Sequence, residues 1–227
     1  MENNKYILPL AIIVAGVLVA GAIYLGGSSQ PTDISTAPEV TNQEKIVIPK
    51  VSAEDHVLGD LNLAEVVVIE YSDTECPWCK VFHETMIKVV SDYNGKVAWI
   101  YRHMPFHNKS IKEAQATECA AEIGGNQAFW NYINKLYEIT PSNDGLDLAE
   151  LPKIAEGLSL NTTSFNECLN SDRHTQSIQD NLKLSGLNKI EGTPYSVIRS
   201  MSGQEIEMKG AGSIEMVKAN IDSLIQN

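Results

Sequence analysis

The chain is short of cysteine and of positive charge, and no segment of it repeats. Its 227 residues include four cysteines, too few for a disulfide scaffold, though the even number leaves room for two pairs. Seventeen Lys and Arg stand against 29 Asp and Glu, a formal charge of -12 at pH 7. That is the wrong sign for gripping a phosphate backbone and excludes nucleic acid as a partner. What is present looks ordinary: 43% hydrophobic and 20% charged residues are globular proportions, which exclude a wholly disordered, collagenous or multi-span membrane chain. The length suits one domain with appendages.

From Ile7 to Leu25 no side chain is charged, and as a helix this run reaches about 28 Å, one hydrocarbon thickness. Lys5 precedes it, and residues 26–44 carry Asp33, Glu39 and Glu44 but no Lys or Arg, so the charge bias places the N-terminus in the cytoplasm and the body outside. An uncleaved anchor over residues 1–25 is the favoured reading. A signal peptide cut at Ala20-Gly21-Ala22 is the alternative, and it would leave the domain secreted or periplasmic. No cysteine follows the run, so a lipid-attached form is out. Residues 26–49, rich in Gly, Ser, Thr, Pro and Gln, read as a flexible linker. Residues 50–227 are left to fold. Either reading exports them to where disulfides persist.

Within that domain Val66-Val67-Val68-Ile69 is a β-branched run without alternation, the mark of a strand buried on both faces. From Pro77 the period becomes helical through Cys79, Phe82, Met86, Val89, Val90 and Tyr93, until Asn94-Gly95 ends it. Lys96 to Met104 reads as a second strand, parallel to the first in a βαβ unit. About 109–187 is helical, broken at Gly124-Gly125 and Pro141-Ser142-Asn143-Asp144-Gly145. Strands return at Tyr195–Arg199 and Glu205–Met208, and a last helix capped by Ser213 buries Ile214, Val217, Ile221, Leu224 and Ile225. The predicted order is βαβ, helical insert, ββα.

Cys76-Pro77-Trp78-Cys79 stands after the buried strand and in the first turn of a helix. Two intervening residues let the sulfurs bond across that turn, which is a redox arrangement. Unsatisfied N–H groups at the helix start favour an anion and should acidify Cys76, making it the exchanging sulfur. Cys79 falls on the apolar stripe, buried and suited to resolving a mixed disulfide. Pro77 fits where a missing N–H costs nothing. The competing reading is half a zinc site, which needs a second Cys or His pair. None is evident among His83, His103 and His107, and no metal or other cofactor is expected.

Glu70-Tyr71-Ser72-Asp73, then Cys76-Pro77-Trp78-Cys79, the helical insert and Gly192-Thr193-Pro194 together resemble the DsbA-type thiol:disulfide oxidoreductases of thioredoxin fold. The likeness runs from about Val57 to the C-terminus. It implies an α/β fold with a mixed central sheet, a cis Pro194 facing the redox pair, and Thr193 offering its backbone to a client strand. It also implies a buried acid beneath Cys79, a place held by Glu70, which would exchange a proton with that thiol. Trp78 stands where the strongest oxidants often carry His, so the couple is expected to be milder than theirs.

Relatives of this family often carry a second pair, which implies a structural disulfide between Cys119 and Cys168; two buried thiols are the alternative. The expected activity is disulfide formation in unfolded exported proteins with free cysteines, with a quinone-linked membrane oxidase restoring the pair. A reductase or isomerase could use the same residues, but isomerases of this fold usually add a dimerisation domain, for which the linker is too short. A monomer is expected. The rival from another class is a metallochaperone using Cys76, Cys79 and His83. Arg102, His103, Met104 and His107 at a strand end are a weaker metal candidate.

Overall fold

The computed structural model describes residues 48–187 and 189–225, apart from the side chains of 184, 185 and 187. The anchor expected over Ile7–Leu25 and nearly all of the linker lie outside the described residues. Among those described, no helix is long and apolar enough to cross a membrane. The linker was expected to run to Pro49, but Ile48 is already buried in the sheet core, and the Ile48 and Pro49 carbonyls accept hydrogen bonds from Arg199 and Arg102. An apolar side chain and two tied carbonyls make Ile48 and Pro49 part of the folded domain.

The elements are β1 (His56–Leu58), β2 (Val66–Ser72), α1 (Pro77–Asp92), β3 (Val97–His103), α2 (Ser110–Ile139), α3 (Glu150–Gly157), α4 (Thr162–Ser171), α5 (Thr175–Leu187), β4 (Tyr195–Ser200), β5 (Glu205–Lys209) and α6 (Ile214–Ile225). The sheet order is β1-β3-β2-β4-β5, with β2 and β3 parallel and the other pairs antiparallel. This is a thioredoxin-like sheet with helices α2 to α5 inserted between β3 and β4. Every residue of β2 is buried, as its unbroken β-branched run requires in a central strand covered on both faces.

Alternation along β2 sorts its side chains. Val66 and Val68 face the core that includes Cys79, Phe82, Met86 and Val89 of α1 and Val217 and Ile221 of α6. Val67, Ile69 and Tyr71 face the other core with Ile100, Met104 and Val197. By the same period Glu70 shares the face of Val66 and Val68, under α1. Its burial is therefore set by the register of the strand, and its polarity is the exception in an apolar row.

Helix α2 joins two cores. Gly125 (φ 71°, ψ -168°) breaks its helical geometry, a backbone position open to glycine and strained for side chains. Beyond the break Phe129, Trp130, Ile133 and Tyr137 enter the sheet core. Tyr132 and Leu136, on the opposite flank, enter the core of the insert with Ile154, Phe165 and Leu169. Cys119 and Cys168 lie in that second core, joined as a disulfide with Cα atoms 5.8 Å apart.

Strand β1 was not anticipated. It has three residues, no apolar alternation of its own, and exists by pairing with β3 (Val57 opposite Ile100). Its outer edge is closed by Asn126, whose amide accepts from Val57 N (3.0 Å) and donates to Val57 O (2.7 Å), as a neighbouring strand would.

The Cys119–Cys168 bond spans 49 residues, a loop whose closure is worth about 4 kcal/mol in chain entropy. Replacing both cysteines with Ala should lower stability by roughly that amount in urea denaturation. A loss under about 1 kcal/mol would show that the insert is held by its apolar core alone.

Candidate active site

Helix α1 opens on a sulfur. Cys76 occupies the cap position with extended backbone (φ -79°, ψ 120°), Pro77 follows inside the first turn, and no side-chain oxygen caps the helix. Cys76 and Cys79 are free thiols, both buried, while Trp78 is 64% exposed beside them. The Thr193–Pro194 peptide is cis, and the Cys76 thiol donates to the Thr193 carbonyl at 3.5 Å. Cys76, Cys79, Thr193 and Pro194 are thus brought to one place from two ends of the domain.

The two thiols are pushed apart in acidity. Cys76 is drawn down to about 5, first because the Cys79 thiol donates to its thiolate, then through the Thr193 side chain and the backbone N–H groups of Cys79 and Trp78, against the cost of burial. Cys79 moves well up, because burial, the bond to Cys76 and the nearby charges of Glu70 and Cys76 all oppose its ionisation. The helix start therefore supports the anion, but the partner thiol is the larger cause.

Glu70 is fully buried, and neither carboxyl oxygen has a hydrogen-bond partner. Burial raises its pKa to about 8; the Ser72 and Trp99 side chains partly offset this, and a Cys76 thiolate adds to it. A neutral carboxyl is the form a dry site tolerates. Ser72 Oγ, Tyr137 Oη and Tyr101 Oη continue the polar layer as a chain of hydroxyls 3.1 and 3.0 Å apart.

Sequence reasoning missed the turn before Cys76. Asp73, Thr74 and Glu75 are all buried, and each side chain is held by a different part of the insert or the loop leading into it. Asp73 is bound by residues 106–110. Thr74 donates to Glu113 of α2 at 2.6 Å. Glu75 accepts from Thr140 Oγ1 at 2.9 Å and Gly145 N at 3.0 Å. Glu113 is pushed up to about 8 by burial and by Glu75 beside it. No periodicity in the sequence marks Asp73-Thr74-Glu75 as buried.

The metal candidates are engaged elsewhere. His83 is buried, its Nε2 2.7 Å from Asn134 Oδ1 and its ring edge-on to Trp99, and burial lowers its pKa to about 4. Arg102 is paired with Asp55 at 2.8 Å, His103 lies 3.1 Å from Glu118, and His107 lies 2.9 Å from Asp73. Met104 is buried in the sheet core. Among the described residues, Cys76, Cys79 and His83 do not form a three-ligand cluster; the one such cluster joins His174 to Cys119 and Cys168, whose sulfurs are already bonded.

Residues 51–214 match the family model described as Thioredoxin. The chain belongs to this family, among its DsbA-like members. It superposes on DsbA2 of Pseudomonas aeruginosa with a TM-score of 0.65 and 26% identity, over 78% of this chain and 98% of that one. It is 33% identical over 152 residues to the Na(+)/H(+) antiporter NhaA 3 of Salinispora tropica, covering 66% of this chain and 22% of the antiporter. The family domain here thus spans under a quarter of that relative's length. A Rickettsia felis protein provisionally named a protein-disulfide oxidoreductase is 24% identical over 219 residues, 88% of this chain and 72% of that protein.

The raised pKa of Glu70 has a stability consequence. Its folded value of about 8 exceeds the ordinary 4.5, so the folded state favours the neutral form, and the stability this confers is complete below pH 4.5 and lost as pH rises toward 8. Glu70→Gln, neutral at every pH, should therefore gain on the wild type by roughly 4 kcal/mol between pH 4.5 and 8 in denaturant titrations of the reduced protein. A pH-independent difference would mean that the Glu70 carboxyl ionises normally.

Proposed function

We propose that the protein is an extracytoplasmic thiol:disulfide oxidoreductase that introduces disulfides into exported proteins through Cys76 and Cys79. The observation that carries this reading is the pair of free thiols in the opening turn of α1, with Cys76 against the cis Thr193–Pro194 peptide, an arrangement that lowers Cys76 and raises Cys79. A stabilised thiolate lowers the energy of the reduced pair, so the disulfide is readily handed on. Similarity to DsbA2 and to the Rickettsia protein supports the same chemistry.

In the first step a thiolate of an unfolded client attacks Cys76 Sγ of the oxidised pair, and the Cys76–Cys79 bond breaks. The electron pair leaves on Cys79, which burial makes a poor anion. Glu70, protonated below about pH 8, gives it a proton. A second client thiolate then attacks the client sulfur of the mixed disulfide, and Cys76 departs as the stabilised thiolate. Two electrons pass from client to enzyme. Thr193 and Pro194, beside Cys76, offer backbone to the client strand, and exposed Trp78 and Phe106 offer it apolar surface.

Residues 7–25 serve as the anchor in this reading, with the folded domain outside the cytoplasm as a monomer, and signal cleavage is the alternative. A quinone-linked membrane thiol oxidase takes the two electrons from reduced Cys76 and Cys79. Running the pair as a reductase would need a much lower potential, and running it as an isomerase would need the pair kept reduced.

Two measurements test the proposal. The potential of the couple against glutathione should lie above roughly -180 mV, and a value near thioredoxin's, roughly -270 mV, would reverse the direction of the reaction. Cys79→Ser should accumulate a mixed disulfide between Cys76 and client, whereas Cys76→Ala should trap nothing and lose all oxidase activity. Full activity in Cys76→Ala would remove this pair from the chemistry.

A further inference from the structure

We propose that Asp73 is the positioning residue of the redox pair, its carboxylate holding in place the turn whose backbone bonds the Cys79 sulfur and the backbone N–H of Cys76. This rests on the reading of Cys76 and Cys79 as the exchanging couple and adds a residue that touches no client.

The geometry has two halves. On the outer side the Asp73 carboxylate, which is buried, gathers donors from the segment entering α2. Oδ2 accepts from Phe106 N at 2.6 Å and His107 N at 3.0 Å, and lies 2.9 Å from His107 Nδ1. Oδ1 accepts from Ser110 Oγ at 2.5 Å and from Glu75 N at 2.8 Å. On the inner side the Asp73 backbone meets one of the two sulfurs and the residue that carries the other. Its N–H donates to Cys79 Sγ at 3.5 Å, and its carbonyl accepts from Cys76 N at 3.1 Å and Tyr137 Oη at 3.3 Å.

A buried carboxylate without donors is costly, and charge-assisted bonds to it are strong and directional. Five donors leave Asp73 one place to sit. Displacing it would take the N–H away from Cys79 Sγ and shift the residue that opens α1. The two sulfurs would then no longer be held in the arrangement in which the Cys79 thiol and the N–H groups of the first turn favour the Cys76 thiolate.

Position and charge predict opposite signs, which makes the idea testable. Removing a nearby negative charge alone would let Cys76 ionise more readily. Loss of position makes ionisation harder. In the full chain, Asp73→Asn should raise the midpoint of the Cys76 thiolate titration, followed by ultraviolet absorbance, by about one unit or more. The equilibrium constant with glutathione should move about tenfold or more toward the oxidised enzyme. Thr74→Val, which breaks the adjoining bond to Glu113, should reduce thermal stability and leave both readouts within about twofold of wild type.

A midpoint that is unchanged or lowered in Asp73→Asn would overturn the proposal, as would equal shifts in Thr74→Val. Should Asp73→Asn not fold, Ser110→Ala removes a single bond to the carboxylate and must move both readouts in the same direction; no movement is equally fatal. Failure of the underlying redox reading would appear separately, as a wild-type pair that does not equilibrate with glutathione at all.

Discussion

The site depends on the placing of two free thiols, Cys76 and Cys79, in the opening turn of α1. A helix start offers unsatisfied N–H groups to any anion, and Trp78 and Cys79 supply them here. The partner thiol contributes more, because it is buried and held within reach by the helical turn. The same contact raises Cys79 as it lowers Cys76. One sulfur becomes the good leaving group and the other the poor one, and the division of roles follows from a single proton placed between them.

In the proposed mechanism that proton comes and goes in a buried interior. Glu70 stands in an otherwise apolar row of β2, without a hydrogen-bond partner, at the expense of folding stability at neutral pH. In the proposed mechanism a neutral acid is needed beside the buried thiol, and the raised pKa of Glu70 suits it to that task. The strand alternation that buries Val66 and Val68 is what aims Glu70 at α1, so the position of the acid is a property of the sheet.

The helical insert is tied to the redox turn, with Asp73, Thr74 and Glu75 reaching into three separate stretches of chain between residues 106 and 146. Helix α2, kinked at Gly125, shares its aromatic side chains between the sheet core and the insert core, and the Cys119–Cys168 disulfide closes the insert behind it. Stiffness at the turn therefore comes from a subdomain whose own core lies elsewhere.

Periodicity made most of the fold legible. The unalternating run at Val66, the helical stripe from Cys79 to Tyr93, the glycine break in α2 and the stripe of α6 were each visible because a local repeat of side chains records which face is buried. The Cys-x-x-Cys spacing was legible for a similar reason: the turn of a helix fixes what two residues of separation can reach. What tertiary structure decided was whatever lacks a local repeat. Strand β1 forms only because β3 and Asn126 supply its partners. Ile48 joins the core although its neighbours read as linker. No local repeat marks Asp73, Thr74 and Glu75 as buried, and the insert folds over them. Chemistry carried by neighbours in the chain can be read from the chain, whereas a charged side chain is made tolerable in the interior only by donors that arrive from distant segments, and those are known once the segments have met.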